Sequence, residues 1–122
     1  MNKQYRVKKA QEIELIIKEK KFSGNSYFVV YKKKNSETSH FRYAISVGKK
    51  IGKAVVRNKV KRQVRAIVDL IKVDTKKPYD VFIIVRPKVL QLSFEEMKTN
   101  LEYLFNKQKL IIKGEKNDEF FL

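Results

Sequence analysis

The sequence predicts an α+β fold, a two-layer α/β sandwich in which helices cover a small mixed sheet. The order is helix, two or more strands, helix, strand, helix, or αβββαβα in full. Three observations carry this reading. Two aromatic and β-branched segments, "YFVVYKKK" and "FRYAISV", alternate with the period of a strand. Val56, Val60, Val64, Ile67 and Ile71 are spaced four, four, three and four apart, the stripe of a helix packed on a core. The run "VFIIV" is apolar at every position, as in a strand buried on both faces.

The first helix is predicted from Val7 to Lys20, because Ala10, Ile13, Ile16 and Ile17 share one helical face while Glu12, Glu14 and Lys18 take others. "FSGNS" breaks that period. In the strand that follows, Tyr27, Val29 and Tyr31 alternate with Phe28 and Val30. The polar run "KKKNSETSH" reads as a hairpin loop into a second strand through Phe41, Tyr43, Ile45 and Val47. Gly48 and Gly52 punctuate the next turn, and the valine stripe then makes the second helix. "KKPYD" turns the chain into the apolar strand. Ser93 and Glu96 fit a capping box, opening a last helix with Phe94, Met97, Leu101, Leu104 and Phe105 as its apolar stripe.

The 122 residues, 43% of them hydrophobic, suffice for one domain, taken as residues 1–112, with a polar tail over 113–122 ending in "FFL". No segment repeats and none is of low complexity. The net charge of +16 makes a polyanion, above all a nucleic acid, the expected partner. Cysteine is absent, which removes disulfides, thiolate metal sites and cysteine nucleophiles and suits a reducing compartment. The N-terminal segment is basic but has no apolar stretch after it, and the longest clean apolar run, Val81 to Val85, is far short of the ~20 residues a membrane helix needs. A soluble cytoplasmic protein with no membrane partner is expected.

The charge is concentrated between Lys49 and Arg65, "KKIGKAVVRNKVKRQVR", where eight of seventeen residues are Lys or Arg and none is acidic. At about 100° per residue the valine stripe fills an arc of about 80°, and Arg57, Asn58, Lys61, Arg62 and Arg65 fill an adjoining arc of about 140°, with Lys59 outside both. No carboxylate occurs between Glu37 and Asp69 to neutralise this ridge. Guanidinium forks match phosphate oxygens, and asparagine adds a neutral donor and acceptor. Lys49, Lys50 and Lys53 lie in the glycine-punctuated turn, where backbone N–H groups near a helix start can add to phosphate binding. Tyr27, Tyr31, Phe41 and Tyr43 either offer platforms for unstacked bases or belong to the core.

A catalytic site of the protein's own is not expected. His40 is the sole histidine, so a histidine acid/base pair is impossible. Most of the thirteen Asp and Glu residues fall in helical charge patterns such as Glu12 with Glu14, and no converging cluster of the kind a metal-dependent nuclease requires can be read. No metal site of the protein alone and no glycine-rich nucleotide loop can be read.

The same stretch resembles the signature of the bacterial ribonuclease P protein subunit, KxxGxAVxRNRxKRxxR. It agrees at Lys49, Gly52, Ala54, Val55, Arg57, Asn58, Lys61, Arg62 and Arg65, with Lys59 where an arginine is usual. "RVKK", "FVVY", "ISVGKK" and "DVFIIVRP" extend the resemblance over nearly the whole chain. It implies an accessory subunit that binds a catalytic RNA and the 5′ leader of precursor tRNA, with the RNA hydrolysing the phosphodiester in a magnesium-dependent reaction. It implies a left-handed strand–helix–strand crossover, an exception to the usual hand, in a fold shared with a domain of a small-subunit ribosomal protein. Lys49, Lys50, Lys53, Arg57, Asn58, Lys59, Lys61, Arg62 and Arg65 are then the RNA-contact residues, and Ile13, Ile17 and Tyr31 line the leader cleft. Ile13 and Ile17 stand where relatives usually carry aromatics, so apolar contact replaces stacking there, and Gly48 stands where serine is common. Two other readings are a structural ribosomal protein that binds ribosomal RNA and a stand-alone basic nuclease.

Overall fold

A computed structural model of the chain describes residues 1 and 3–112. Its elements run α1 (Ala10–Lys18), β1 (Phe22–Gly24), β2 (Phe28–Lys34), β3 (Arg42–Val47), α2 (Ala54–Leu70), β4 (Tyr79–Val85) and α3 (Phe94–Lys107), with short 3-10 turns at Lys3–Tyr5, Lys49–Ile51 and Pro87–Gln91. The order is the expected αβββαβα. The polar tail read at 113–122, with its "FFL", lies outside the described residues.

Four strands form one mixed sheet in the order β1-β2-β4-β3. β2 pairs with β4 antiparallel, and β3 pairs with β4 parallel, so α2 is the crossover of a β3–α2–β4 unit. The hairpin expected between β2 and β3 is therefore not formed. β4 lies between them because its side chains are apolar on both sides, and only a central position gives such a strand a partner on each edge and cover on each face. The hairpin that does form joins β1 to β2. Its turn is held by Asn25, whose Oδ1 accepts from the backbone N–H of Tyr27 at 2.8 Å and of Phe28 at 2.9 Å.

Strand alternation divides the apolar residues between two faces. Phe28 and Val30 of β2, Tyr43 and Val47 of β3, and Val81, Ile83 and Val85 of β4 meet α2 and α3 in the main core. α2 contributes Val60, Val64, Ile67 and Val68, and α3 contributes Met97, Leu101, Leu104 and Phe105. The buried stripe of α2 is rotated from the expected one: Val68 is inside, whereas Val56 is exposed, because the first turn of α2 extends past the packed core. Of the aromatic residues of undecided role, Phe41 and Tyr43 are core, Tyr27 packs against it, and Tyr31 faces the other way. α3 begins with the expected capping box, the Ser93 N–H donating to Glu96 Oε1 at 2.8 Å and the Glu96 N–H to Ser93 Oγ at 3.1 Å.

The opposite face carries α1 alone. Ile16 is fully buried there with Val7 and Phe82, and Ile13, Tyr31, Ala44 and Ile84 surround them. α1 is shorter than predicted and buries only Ile16 completely; Ala10 and Ile17 remain at the surface. It is anchored by Arg42, whose Nε donates to Asp80 Oδ1 at 3.0 Å and whose Nη2 donates to Asp80 Oδ2 at 2.8 Å and to Glu12 Oε2 at 2.9 Å. Asn35 Nδ2 also donates to Asp80 Oδ2, at 2.9 Å. Asp80 raises the pKa of Arg42 above the ordinary guanidinium value, Glu12 adds to this, and partial burial opposes it.

Removing one partner of a buried ion pair leaves the other uncompensated. Asp80→Ala is expected to lower unfolding stability by about 3 kcal/mol, read as a fall in the urea midpoint at unchanged slope. A loss below about 1 kcal/mol would mean that the cluster behaves like an exposed ion pair.

Candidate nucleic-acid interface

The basic ridge is built from the backbone of the turn before α2. Gly48 starts a 3-10 turn over Lys49–Ile51, and Gly52 ends it at φ 150°, ψ −165°. That region is accessible essentially to glycine alone. A Cβ at Gly52 would also come within 3.3 Å of Val56 Cβ and Cγ1. Ile51 is buried beneath the turn, so Lys49, Lys50 and Lys53 are held outward around a fixed centre. Arg57 reaches back from the first turn of α2, its Nε donating to the Gly52 carbonyl at 3.1 Å. It therefore ties turn to helix as well as contributing charge, a role the sequence did not indicate.

Along α2 exposure follows distance from the buried stripe. Arg57, Lys61 and Arg65, four residues apart, flank the stripe and are half-buried, whereas Asn58 and Arg62 are exposed. The ion pairs among the described residues are Met1 with Asp69 and Arg42 with Glu12 and Asp80, and none engages a cation of the ridge. Lys59 points elsewhere, into a groove of about 250 Å³ on the far side of α2 with Val55, Val56, Val89 and Leu90. Arg57, Asn58, Lys61, Arg62 and Arg65 thus share one side of α2, the Arg57–Gly52 contact joins it to the turn that carries the exposed Lys49, Lys50 and Lys53, and Lys59 lies apart from them.

The second surface is the open part of the α1 face. A helix of nine residues is about 13 Å long and about 10 Å across. The sheet beneath it is about 14 Å wide, and its seven-residue strands are about 23 Å long. α1 cannot cover that area, and a cleft remains beside it. The register lays out its floor in rows: Phe22, Tyr31, Phe82 and Ala44 side by side, then Gly24, Val29, Ile84 and Ser46. Ile13 and Tyr31 pack around the same small cluster, while Ile17, 38% exposed, stands at the solvent side of α1. Sequence reasoning missed Phe82, Ile84 and Ala44 as the floor and Phe22 as its outermost member. The alternation of β4 held the signal for the first two.

The two surfaces meet. A cavity of about 170 Å³ is lined by Arg65 from the ridge and Ile13 from the cleft, with Arg6, Val7, Tyr43, Ala44 and Ile45 between them. Burial, and then Asp69, raises the Tyr43 phenol above its ordinary pKa, against the opposing charges of Arg65 and Arg6. Among the described residues no three His, Cys, Asp or Glu side chains converge to hold a metal ion, and no helix is long and apolar enough to cross a membrane.

Comparison with known proteins gives a consistent picture. The family model described as Ribonuclease P matches residues 1–109. The chain is 43% identical over 111 residues to the ribonuclease P protein component of Enterococcus faecalis, covering 91% of this chain and 94% of that one. It is 44% identical over 117 residues to that of Acholeplasma laidlawii, covering 96% and 100%. Among solved structures it is similar to a Staphylococcus aureus RNase P protein mutant with defective mRNA degradation activity, at a TM-score of 0.81 and 33% identity over 89% of this chain and 92% of that one. It is also similar to the RNase P protein from Thermotoga maritima, at a TM-score of 0.71 and 33% identity over 89% and 98%.

Because Gly52 combines a glycine-only backbone with a close approach to Val56, Gly52→Ala is expected to cost about 1–3 kcal/mol of stability. Urea unfolding measures this, and an unchanged midpoint would show that the turn relaxes without strain.

Proposed function

This chain belongs to the ribonuclease P protein family, the protein components of a ribonucleoprotein endonuclease, and from that premise we propose that it is the accessory subunit that binds the catalytic RNA and the single-stranded 5′ leader of precursor tRNA. The observation that carries the proposal is the junction of the basic ridge, free of ion pairs among the described residues, with the half-open apolar cleft at the cavity shared by Arg65 and Ile13.

In this reading Lys49, Lys50, Lys53, Arg57, Asn58, Lys61, Arg62 and Arg65 take the phosphate backbone of the catalytic RNA. Arginine forks and lysine point charges release counterions as they bind, which supplies most of the affinity. Lys59, on the far side of α2, serves a separate contact. Ile13, Ile17 and Tyr31 border the cleft that takes the leader, with Phe82 and Ile84 as its floor. Mg²⁺, bound mainly by the RNA, supplies the Lewis acidity for hydrolysis. The protein's residues bind and align the strand, and none of them exchanges a proton with it.

Cleavage of a leader-bearing precursor tRNA at low magnesium tests this directly, with the protein alone, a bacterial ribonuclease P RNA alone, and both together. Cleavage only with both is expected. Cleavage by the protein alone would reveal an active site of its own, and no gain over the RNA alone would favour a structural ribosomal-RNA-binding protein instead.

The ridge is tested separately by replacing Lys61, Arg62 and Arg65 with alanine, leaving Arg57 to hold the Gly52 carbonyl. The slope of log K against log salt should flatten by about 2–3. An unchanged slope would remove these side chains from phosphate contact.

A further inference from the structure

β1 carries an aromatic ring that the core does not use. Phe22 is 56% exposed and belongs to neither apolar cluster. Among the described residues its only aromatic contact is Tyr31, directly opposite on β2, with ring centroids 5.1 Å apart and planes 37° apart. Tyr31 is in turn opposite Phe82, so three rings descend in one row from the sheet edge to the cleft floor. The chain reaches Phe22 through Lys18, Lys20 and Lys21, all exposed, the middle one in a left-handed turn at φ 57°. Cations that follow a backbone next to an exposed aromatic face are the two parts of a single-strand binding site. On α1, by contrast, Ile13 and Ile17 can touch a base but offer it no π-face.

Resting on the leader-cleft reading, we propose that Phe22 and Tyr31 together form the stacking step for one unpaired base of the leader. They place on β1 and β2 the aromatic contact that the isoleucines of α1 cannot make. Phe22 supplies the exposed outer face, Tyr31 fixes the tilt of the ring, and Lys20 and Lys21 take the flanking phosphates. The base enters from the sheet edge, beyond the span of α1. Selectivity between bases is weak, because every base has a face to stack.

The test uses the holoenzyme assembled from a bacterial ribonuclease P RNA with wild-type protein, Phe22→Ala, Phe22→Leu or Phe22→Trp. Each is titrated with precursor tRNAs bearing a long leader, the same leader with single abasic positions, or a one-nucleotide leader. Phe22→Ala and Phe22→Leu should weaken long-leader binding on the order of tenfold and leave the one-nucleotide substrate unchanged. Phe22→Trp should restore it. One abasic position should cost the wild type what it no longer costs Phe22→Ala. If Phe22→Ala keeps the full preference for the long leader, or if leucine serves as well as phenylalanine, stacking at Phe22 is overturned while the cleft stands. If the wild type itself shows no preference for the long leader, the cleft reading and the stacking step fall together.

Discussion

The arrangement rests on one partly buried cation. Arg42 and Asp80 are register partners at the start of the parallel β3–β4 pair, and the same guanidinium reaches Glu12 on α1. Two of only thirteen carboxylates are thus spent on one side chain in a protein of net charge +16. The desolvation of such a cluster is offset only when every donor and acceptor is met. Here the fork is bidentate to Asp80 and Asn35 satisfies a further lone pair. What it secures is geometry: α1 has a single fully buried residue, Ile16, and an anchor that small would leave the helix free to slide. The ion cluster fixes its position, and with it the width of the cleft that α1 borders.

The two faces of the sheet do different work for the same reason. α2 and α3 seal one face with a continuous apolar layer, and that layer holds a helix whose outer side is crowded with like charge. Crowding has a visible cost elsewhere too. The Lys32 ammonium, donating to the Gln108 carbonyl at 2.8 Å, has its pKa lowered first by burial and then by Lys21, Lys77 and Lys109. Self-repulsion of this kind weakens the free protein and is relieved when a polyanion binds. In the proposed function, stability and RNA binding are in this way linked through charge, while the α1 face adds apolar contacts to the leader.

Much of this could be read from the residues because it is local. The periods of α2 and α3, the Ser93–Glu96 box and the double-sided burial of β4 are properties of short windows, and each formed as expected. The partner of β2 is not local: proximity in sequence favoured β3, whereas the doubly apolar β4 takes the place between them. The order αβββαβα includes β1, but its position could not be read because Ser23 and Gly24 disguise a three-residue strand, and the pairing that defines it comes from Val29, Val30 and Tyr31. Phe22 went unnoticed with it. On α2 the helical wheel located the cations well but set the buried arc about one residue off, exchanging Val56 for Val68, since a wheel carries no information on where the sheet beneath ends. The separation of Lys59 from the ridge, by contrast, was legible from its angle alone.

The shared cavity of Arg65 and Ile13 has a consequence for how an accessory protein can act without touching the reacting bond. In the proposed function a phosphate backbone gripped along α2 and a leader laid across the sheet are held by two surfaces of one fold. Arg65 is fixed by a helix packed on β3, Ile13 by a helix pinned through Glu12 to the same strand. The distance between the two bound strands is therefore set by the fold and not by either ligand. In the proposed function the binding free energy of the leader is converted into alignment of the scissile bond with the RNA's own metal ions, the kind of positioning that lowers a barrier through orientation alone. The chemistry can reside wholly in the RNA so long as β3 keeps the two surfaces in register.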